Sequence, residues 1–143
     1  MEKRLATVEK VIFLKSMDIF KHATIEELGR VAALTEEVHF EPGEIILREG
    51  APTDAIYLIL KGRVAAEGNG QLVHEVGEKQ AFGTVAALDR NPAVHTVKAI
   101  DPVDALKLNA QDFDDILSLD FELVQAVFRA LCRLIREGQK LFS

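Results

Sequence analysis

The spacing of apolar and polar residues changes character twice along the chain. Between Thr7 and Phe20, Val8, Val11, Ile12, Leu14 and Ile19 are spread round the turns of one predicted helix. A second helix is predicted from Thr24. There Thr24-Ile25-Glu26-Glu27 forms a capping box, the threonine satisfying free amides and the glutamate reaching back to the amide at the cap. Leu28, Val31 and Leu34 then give that helix one buried face. From Val38 short apolar runs replace the helical period: Val38 to Phe40, Ile45 to Leu47, Ile56 to Leu60, Val64 to Glu67 and Leu72 to Val76. Turn residues separate them. Pro42-Gly43 is a type II turn signal, because proline presets the first central dihedral and glycine accepts the positive φ of the second. Gly68-Asn69-Gly70 reads as a hairpin turn, and no helix with a following lysine comes after it to make a phosphate-binding loop.

Beyond Gln80-Ala81-Phe82-Gly83 a short helical stretch, Thr84 to Leu88, leads through a loop to Pro92. Strands resume at His95 to Ile100 and Ala105 to Leu108, so Pro42, Pro52, Pro92 and Pro102 all fall in turns. Two helices close the chain. The first begins at Asn109 or Ala110, with Asp112, Asp114 and Asp115 near its positive end. The second runs from about Phe121 to Leu141. Its residues Val124, Phe128, Leu131, Ile135, Gly138 and Phe142 are spaced 4, 3, 4, 3, 4, a heptad-like seam, with Val127, Leu134 and Leu141 widening the apolar arc. That seam either packs on the strands or pairs with a second copy, so a homodimer through helix 121–142 is one expectation. The pattern as a whole predicts a mainly β fold with flanking helices: helices over 7–34, an antiparallel β unit over 38–108 and C-terminal helices over 110–142.

Composition narrows the reading. The 143 residues suffice for one domain with a core, and 48% hydrophobic with 28% charged residues is a globular balance. A formal net charge of -6 argues against nucleic-acid binding by this chain alone, since phosphate neutralisation needs a basic face. Arg129, Arg133, Arg136 and Lys140 of the last helix read as a solvated face. No apolar run reaches membrane-spanning length, so membrane insertion is not expected, and Glu9, Lys10 and Lys15 interrupt any leader behind Lys3 and Arg4. A cytoplasmic setting is the default. Cys132 is the single cysteine, which excludes an intrachain disulfide and predicts a buried structural thiol in its apolar helix. Catalysis has no support. Ser16, Ser118 and Ser143 sit in no nucleophile motif, and His22, His39, His74 and His95 have no metal-ligand spacing.

The order of elements resembles the cyclic-nucleotide-binding domain family, which includes the ligand domains of the catabolite activator protein, protein kinase A regulatory subunits and cyclic-nucleotide-gated channels. Phe40-Glu41-Pro42-Gly43-Glu44 looks like the family's first turn. Glu49 to Val64 looks like its central strand signature, with Gly50, Asp54, Tyr57 and Gly62 correctly spaced. Phe82-Gly83 opens what looks like the phosphate-binding cassette. The resemblance runs from about residue 8 to 140. It implies an antiparallel β-roll, a double-stranded β-helix of jelly-roll type, with N-terminal helices and a long C-terminal helix. The stretch Thr7 to Leu14 also resembles the lead-in of such domains when fused behind other modules, including transporters, so a partner domain in a larger protein is a further expectation.

In the family the cassette begins Phe-Gly-Glu and continues to Pro-Arg-Ala-Ala-Thr/Ser. Phe82, Gly83, Ala86, Pro92, Thr96 and Val97 match that pattern, and Val85 lies within it. The glutamate that accepts the ribose hydroxyl corresponds to Thr84, and the arginine that pairs with the cyclic phosphate corresponds to Ala93. Val94 and His95 stand at the next two positions. Losing one partner of a buried charge pair costs about 2–5 kcal/mol. A lost hydrogen bond to a charged group costs about 1.5–3 kcal/mol more, although the two need not add. The low end, about 3.5 kcal/mol, is a few hundredfold in affinity. Compensating contacts would come from Arg90 in the same loop, from a protonated His95, or from the amides of the Gly83 to Ala86 turn. The resemblance thus implies a regulatory or sensor domain in which cyclic AMP or cyclic GMP binds weakly or a different ligand binds. The alternative is a ligand-independent protein-interaction or dimerisation module.

Overall fold

The computed structural model describes residues 5–138. Lys3, Arg4, Lys140, Leu141, Phe142 and Ser143, all used in the sequence reading, lie outside the described residues. Eight antiparallel strands form two four-stranded sheets flanked by helices, which is the β-roll expected. The strands are β1 (Thr35–Phe40), β2 (Ile45–Leu47), β3 (Ala55–Lys61), β4 (Val64–Gly68), β5 (Gln71–Val76), β6 (Ala81–Phe82), β7 (Thr96–Ala99) and β8 (Val103–Asn109). One sheet has the order β1-β8-β3-β6 and the other β2-β7-β4-β5. The helices are α1 (Thr7–Lys15), α2 (Ile25–Leu34), α3 (Thr84–Asp89), α4 (Ala110–Leu119) and α5 (Phe121–Arg136).

The strand period of two divides the core. Along β3, Ile56 and Leu58 face the helices and pack with Leu14, Phe20, Leu28, Phe113 and Leu123. Ala55, Tyr57 and Ile59 face into the roll with Val64, Phe82, Val97 and Val103. Burial on both faces is why β3 reads as an unbroken apolar run.

Turn chemistry follows the residues. Gly43 sits at φ 87°, as a type II turn requires, and the Glu44 amide donates to the Glu41 carbonyl at 3.0 Å. Asn69 and Gly70 both take positive φ between paired Gly68 and Gln71, a two-residue hairpin. Gly62 has a second constraint: at φ 94°, a Cβ there would lie 2.3 Å from the Pro102 carbonyl oxygen. The Thr24 capping box forms as read, with the Glu27 amide donating to Thr24 Oγ1 at 3.1 Å and the Thr24 amide to Glu27 Oε1 at 2.8 Å.

Three expectations are corrected. The helix expected over Thr7 to Phe20 stops at Lys15. The Ser16 hydroxyl turns back to the Phe13 carbonyl, Met17 is extended, and a 3-10 turn, Asp18–Phe20, follows. Cys132 is exposed. The face of α5 packed on the core is Leu123, Ala126, Val127 and Ala130, with Val124 and Leu131 half-buried. Phe128 and Ile135, central to the predicted seam, are 66% and 64% exposed, so that seam looks largely outward.

Candidate functional site

The cassette expected around residues 82–96 is held from both ends. Phe82 is fully buried, stacked on Tyr57 with ring centroids 5.0 Å apart and planes 7° from parallel. Phe40 meets Tyr57 edge-on at 5.9 Å. Burial, with the Asp54 and Glu36 charges adding to it, pushes the Tyr57 phenol above its ordinary pKa. Gly83 then turns the chain into α3 at φ 78°. A side chain there would meet the Ala55 carbonyl oxygen at 3.0 Å and Leu47 at 3.3 Å, so glycine is the residue that lets the cassette lie this close to β3. At the exit, the Ala93 amide donates to the Ala51 carbonyl at 2.9 Å and the Gly50 amide to the Ala93 carbonyl at 2.8 Å. Thr96 Oγ1 accepts from the Glu49 amide at 3.0 Å.

The residues singled out from the sequence are only partly brought together. Thr84 is buried and lines a cavity of about 260 Å3. Val85 is half-buried and Ala86 is buried. Ala93 and His95 are buried, whereas Val94 is 47% exposed; none of the three lines that cavity. His95 sits edge-on to His74 at 6.0 Å and close under Gly68. Arg90 takes a left-handed conformation that closes α3 and directs its guanidinium to the carboxylate of Asp114 and the side-chain oxygen of Gln111 on α4. Using it as an anion contact would mean breaking that pair.

The cavity involves more of the chain than the cassette. Besides Thr84 it is lined by Met17, Asp18 and Ile19, by His74, Glu75 and Val76 of β5, by Lys79, Gln80 and Ala81, and by Leu131 and Leu134 of α5. Met17, Ile19, Leu131 and Leu134 make one part of its wall aliphatic, and His74, Glu75, Lys79 and Gln80 make another part polar. The two carboxylates at its rim are each engaged, Asp18 with Arg133 at 4.0 Å and Glu75 with Arg63 at 3.0 Å. Sequence reasoning missed the 3-10 turn and the β5 residues as lining, and only the wide apolar arc of the last helix hinted at Leu134. Among the described residues no group of three or more His, Cys, Asp or Glu side chains is placed to hold a metal ion. Among the same residues no helix is long and apolar enough to cross a membrane.

The family model described as "Cyclic nucleotide-binding domain" matches residues 37–120, which takes in the roll from within β1 onward and α4. The chain belongs to the cyclic nucleotide-binding domain family. This cyclic nucleotide-binding domain is 30% identical over 110 residues to the cAMP-dependent protein kinase regulatory subunit of Dictyostelium discoideum, covering 71% of this chain and 34% of that protein. It is 28% identical over 114 residues to potassium channel KOR1 of Oryza sativa subsp. japonica, covering 76% of this chain and 13% of the channel. The domain thus spans a minor part of these relatives. Among solved structures, the regulatory domain of Toxoplasma gondii PKA with cAMP superposes with a TM-score of 0.76 at 25% identity, over 92% of this chain and 50% of that one. The regulatory subunit of a cAMP-independent protein kinase A from Trypanosoma brucei superposes with a TM-score of 0.74 at 26% identity, over 86% of this chain and 46% of that one. That structure is a mutant with glutamate-to-alanine, threonine-to-arginine and valine-to-alanine changes, bound to cAMP in the A site.

Proposed function

We propose that this domain is a regulatory module whose pocket has lost its hold on a cyclic phosphate, so that cyclic AMP and cyclic GMP bind weakly and the natural ligand is a different one. The observation that carries the reading is the residue pair at the family's two ligand-contacting positions. Thr84 replaces the ribose-binding glutamate, and buried Ala93 replaces the phosphate-binding arginine. Arg90, the arginine of the same loop, is paired with Asp114 instead. A cyclic phosphate entering this corner would be desolvated without a bidentate cation to receive it. The Trypanosoma brucei relative supports the reading. There a cAMP-independent subunit is seen bound to cAMP with arginine and alanine in place of a threonine–valine pair, and an uncharged residue followed by valine is what Ala93-Val94 presents.

The cavity at Thr84 gives such a module its output. Leu131 and Leu134 of α5 form part of its wall, so a ligand filling it contacts the last helix directly and biases its position. The partner that reads this motion is a neighbouring module of a longer, cytoplasmic regulator or a second copy of the domain. A ligand-independent interaction role is the second reading, favoured by the exposed apolar face of α5.

Calorimetry against cyclic AMP and cyclic GMP tests the proposal, with the native domain beside the double variant Thr84→Glu plus Ala93→Arg. The expected result is no heat from the native domain up to millimolar ligand and restored binding in the variant. Micromolar binding by the native domain would overturn it. Hydrogen exchange across residues 121–136 that ignores a saturating ligand of the double variant would sink the role of α5 as the helix that responds to the ligand.

A further inference from the structure

The lining of the cavity at Thr84 is sorted by depth. Met17, Ile19, Val76 and Thr84, all buried, form its most enclosed wall, and half-buried Leu131 and Leu134 of α5 continue it. Thr84 contributes a hydroxyl there, and none of these side chains is ionisable at neutral pH. The charged lining lies further out. The Asp18 and Glu75 side chains are 59% and 45% exposed, and Lys79 and Gln80 are exposed. Each carboxylate faces a guanidinium, Arg133 at 4.0 Å and Arg63 at 3.0 Å, and the Gln80 side-chain oxygen accepts from the Gly77 amide at 2.8 Å. Half-buried His74 stands edge-on to buried His95. An anion reaching the enclosed wall would be desolvated with no cation to receive it, after passing two carboxylates and one lysine. A cation would find both carboxylates held by arginine.

We propose that this cavity takes an uncharged, mainly apolar small molecule with one hydroxyl or carbonyl group, which hydrogen-bonds to Thr84. The inference rests on the reading of the cassette as having lost its hold on a cyclic phosphate, and names what the pocket takes instead. Size sets a limit. An apolar cavity of about 150 Å3 accepts benzene, and sites for drug-sized ligands run to about 300–1,000 Å3. The volume here, about 260 Å3, fits a ring with a short side chain. Such a body gains by leaving water for the aliphatic wall. The Thr84 hydroxyl both donates and accepts, so it serves an alcohol or a ketone and favours either over a hydrocarbon by one hydrogen bond.

Three probes with one body and three charges test the proposal by calorimetry at about pH 8, above the ordinary imidazole range: 3-phenylpropan-1-ol, 3-phenylpropionate and 3-phenylpropylamine. The alcohol should bind saturably, one to one, and the anion and the cation at least about tenfold more weakly. Thr84→Val, which keeps the shape, should weaken the alcohol about fivefold and leave ethylbenzene unchanged. Leu134→Trp, at a half-buried position, should fill the cavity and abolish binding with unchanged circular dichroism. Phe128→Glu, on the exposed face of α5, should leave binding intact. Equal or tighter binding of either charged probe, indifference to Thr84→Val or to Leu134→Trp, or no saturable heat from the alcohol would overturn the proposal. Cyclic AMP in the same series reports on the cassette separately. Its micromolar binding would remove the reading on which the inference rests, whereas silence from both cyclic AMP and the alcohol would overturn the ligand class alone.

Discussion

If the Phe82–Tyr57 stack is what anchors the cassette to β3, the two rings should be energetically coupled. Phe82 is fully buried, and truncating such a side chain to alanine costs about 3–5 kcal/mol. Against a total stability of about 5–15 kcal/mol, that is too large a loss for a clean measurement. Leucine at each position keeps most of the volume. The aromatic pair itself, at 5.0 Å and near-parallel, is worth about 0.5–1.5 kcal/mol beyond its buried area. The double-mutant cycle of Phe82→Leu, Tyr57→Leu and both together should return that coupling from urea unfolding midpoints at a common slope. Tyr57→Phe, which keeps the stack, should retain it. Strict additivity of the two leucine changes would refute the anchoring argument and leave Phe82 as ordinary core filling.

Gly62→Ala should destabilise by more than the about 1–2 kcal/mol that left-handed strain alone imposes, because the new methyl must displace the Pro102 carbonyl; thermal unfolding checks it. Thr24→Ala removes one half of a capping box and should cost about 1 kcal/mol, lowering Tm by about 3 °C. His39 carries a pH signature. Asp104, at 2.7 Å, and then Glu41, at 2.9 Å, hold its pKa above the ordinary value. A raised folded-state pKa means the stabilisation is complete below about pH 6.5 and is lost as pH rises through the raised value. Urea midpoints for the native chain should fall across that interval relative to His39→Gln; parallel profiles would remove His39 as the cause.

The fold was legible because its signals are local. Capping residues at Thr24, the Pro42-Gly43 turn, the Asn69-Gly70 hairpin and the short apolar runs between turns all act within a few residues. What the sequence left hidden is set by contacts between distant segments. The last helix has apolar residues over most of its circumference, and only the packing of the 3-10 turn and α4 decides that Leu123 and Val127 go inward while Phe128 goes out. Cys132 follows from the same rotation. Met17, Ile19 and Phe20 looked like the end of a helix, yet the break at Ser16 lets them be buried, and Met17 and Ile19 reach the cavity wall. The cassette was found as a motif, but Arg90 was free in the sequence and is tied to Asp114 only once α4 is placed. His39 bridges two acids, one on the adjacent strand, that no spacing rule would have joined.

The pairing of β1 with β8 bears on how the chain acquires its shape. Thr35 to Phe40 hydrogen-bond to Val103 to Leu108, so the first strand finds its partner only when the last has been synthesised. β8 is also the neighbour of β3, so one late segment completes two ladders at once. Such non-local topology raises contact order and slows folding relative to helical domains of similar size. On the ribosome, the hairpin of β4 and β5 has all its residues early, while β1 and β3 keep open edges until β8 emerges. Those edges are the segments that chaperones would shield, and they are where misassembly during synthesis would begin.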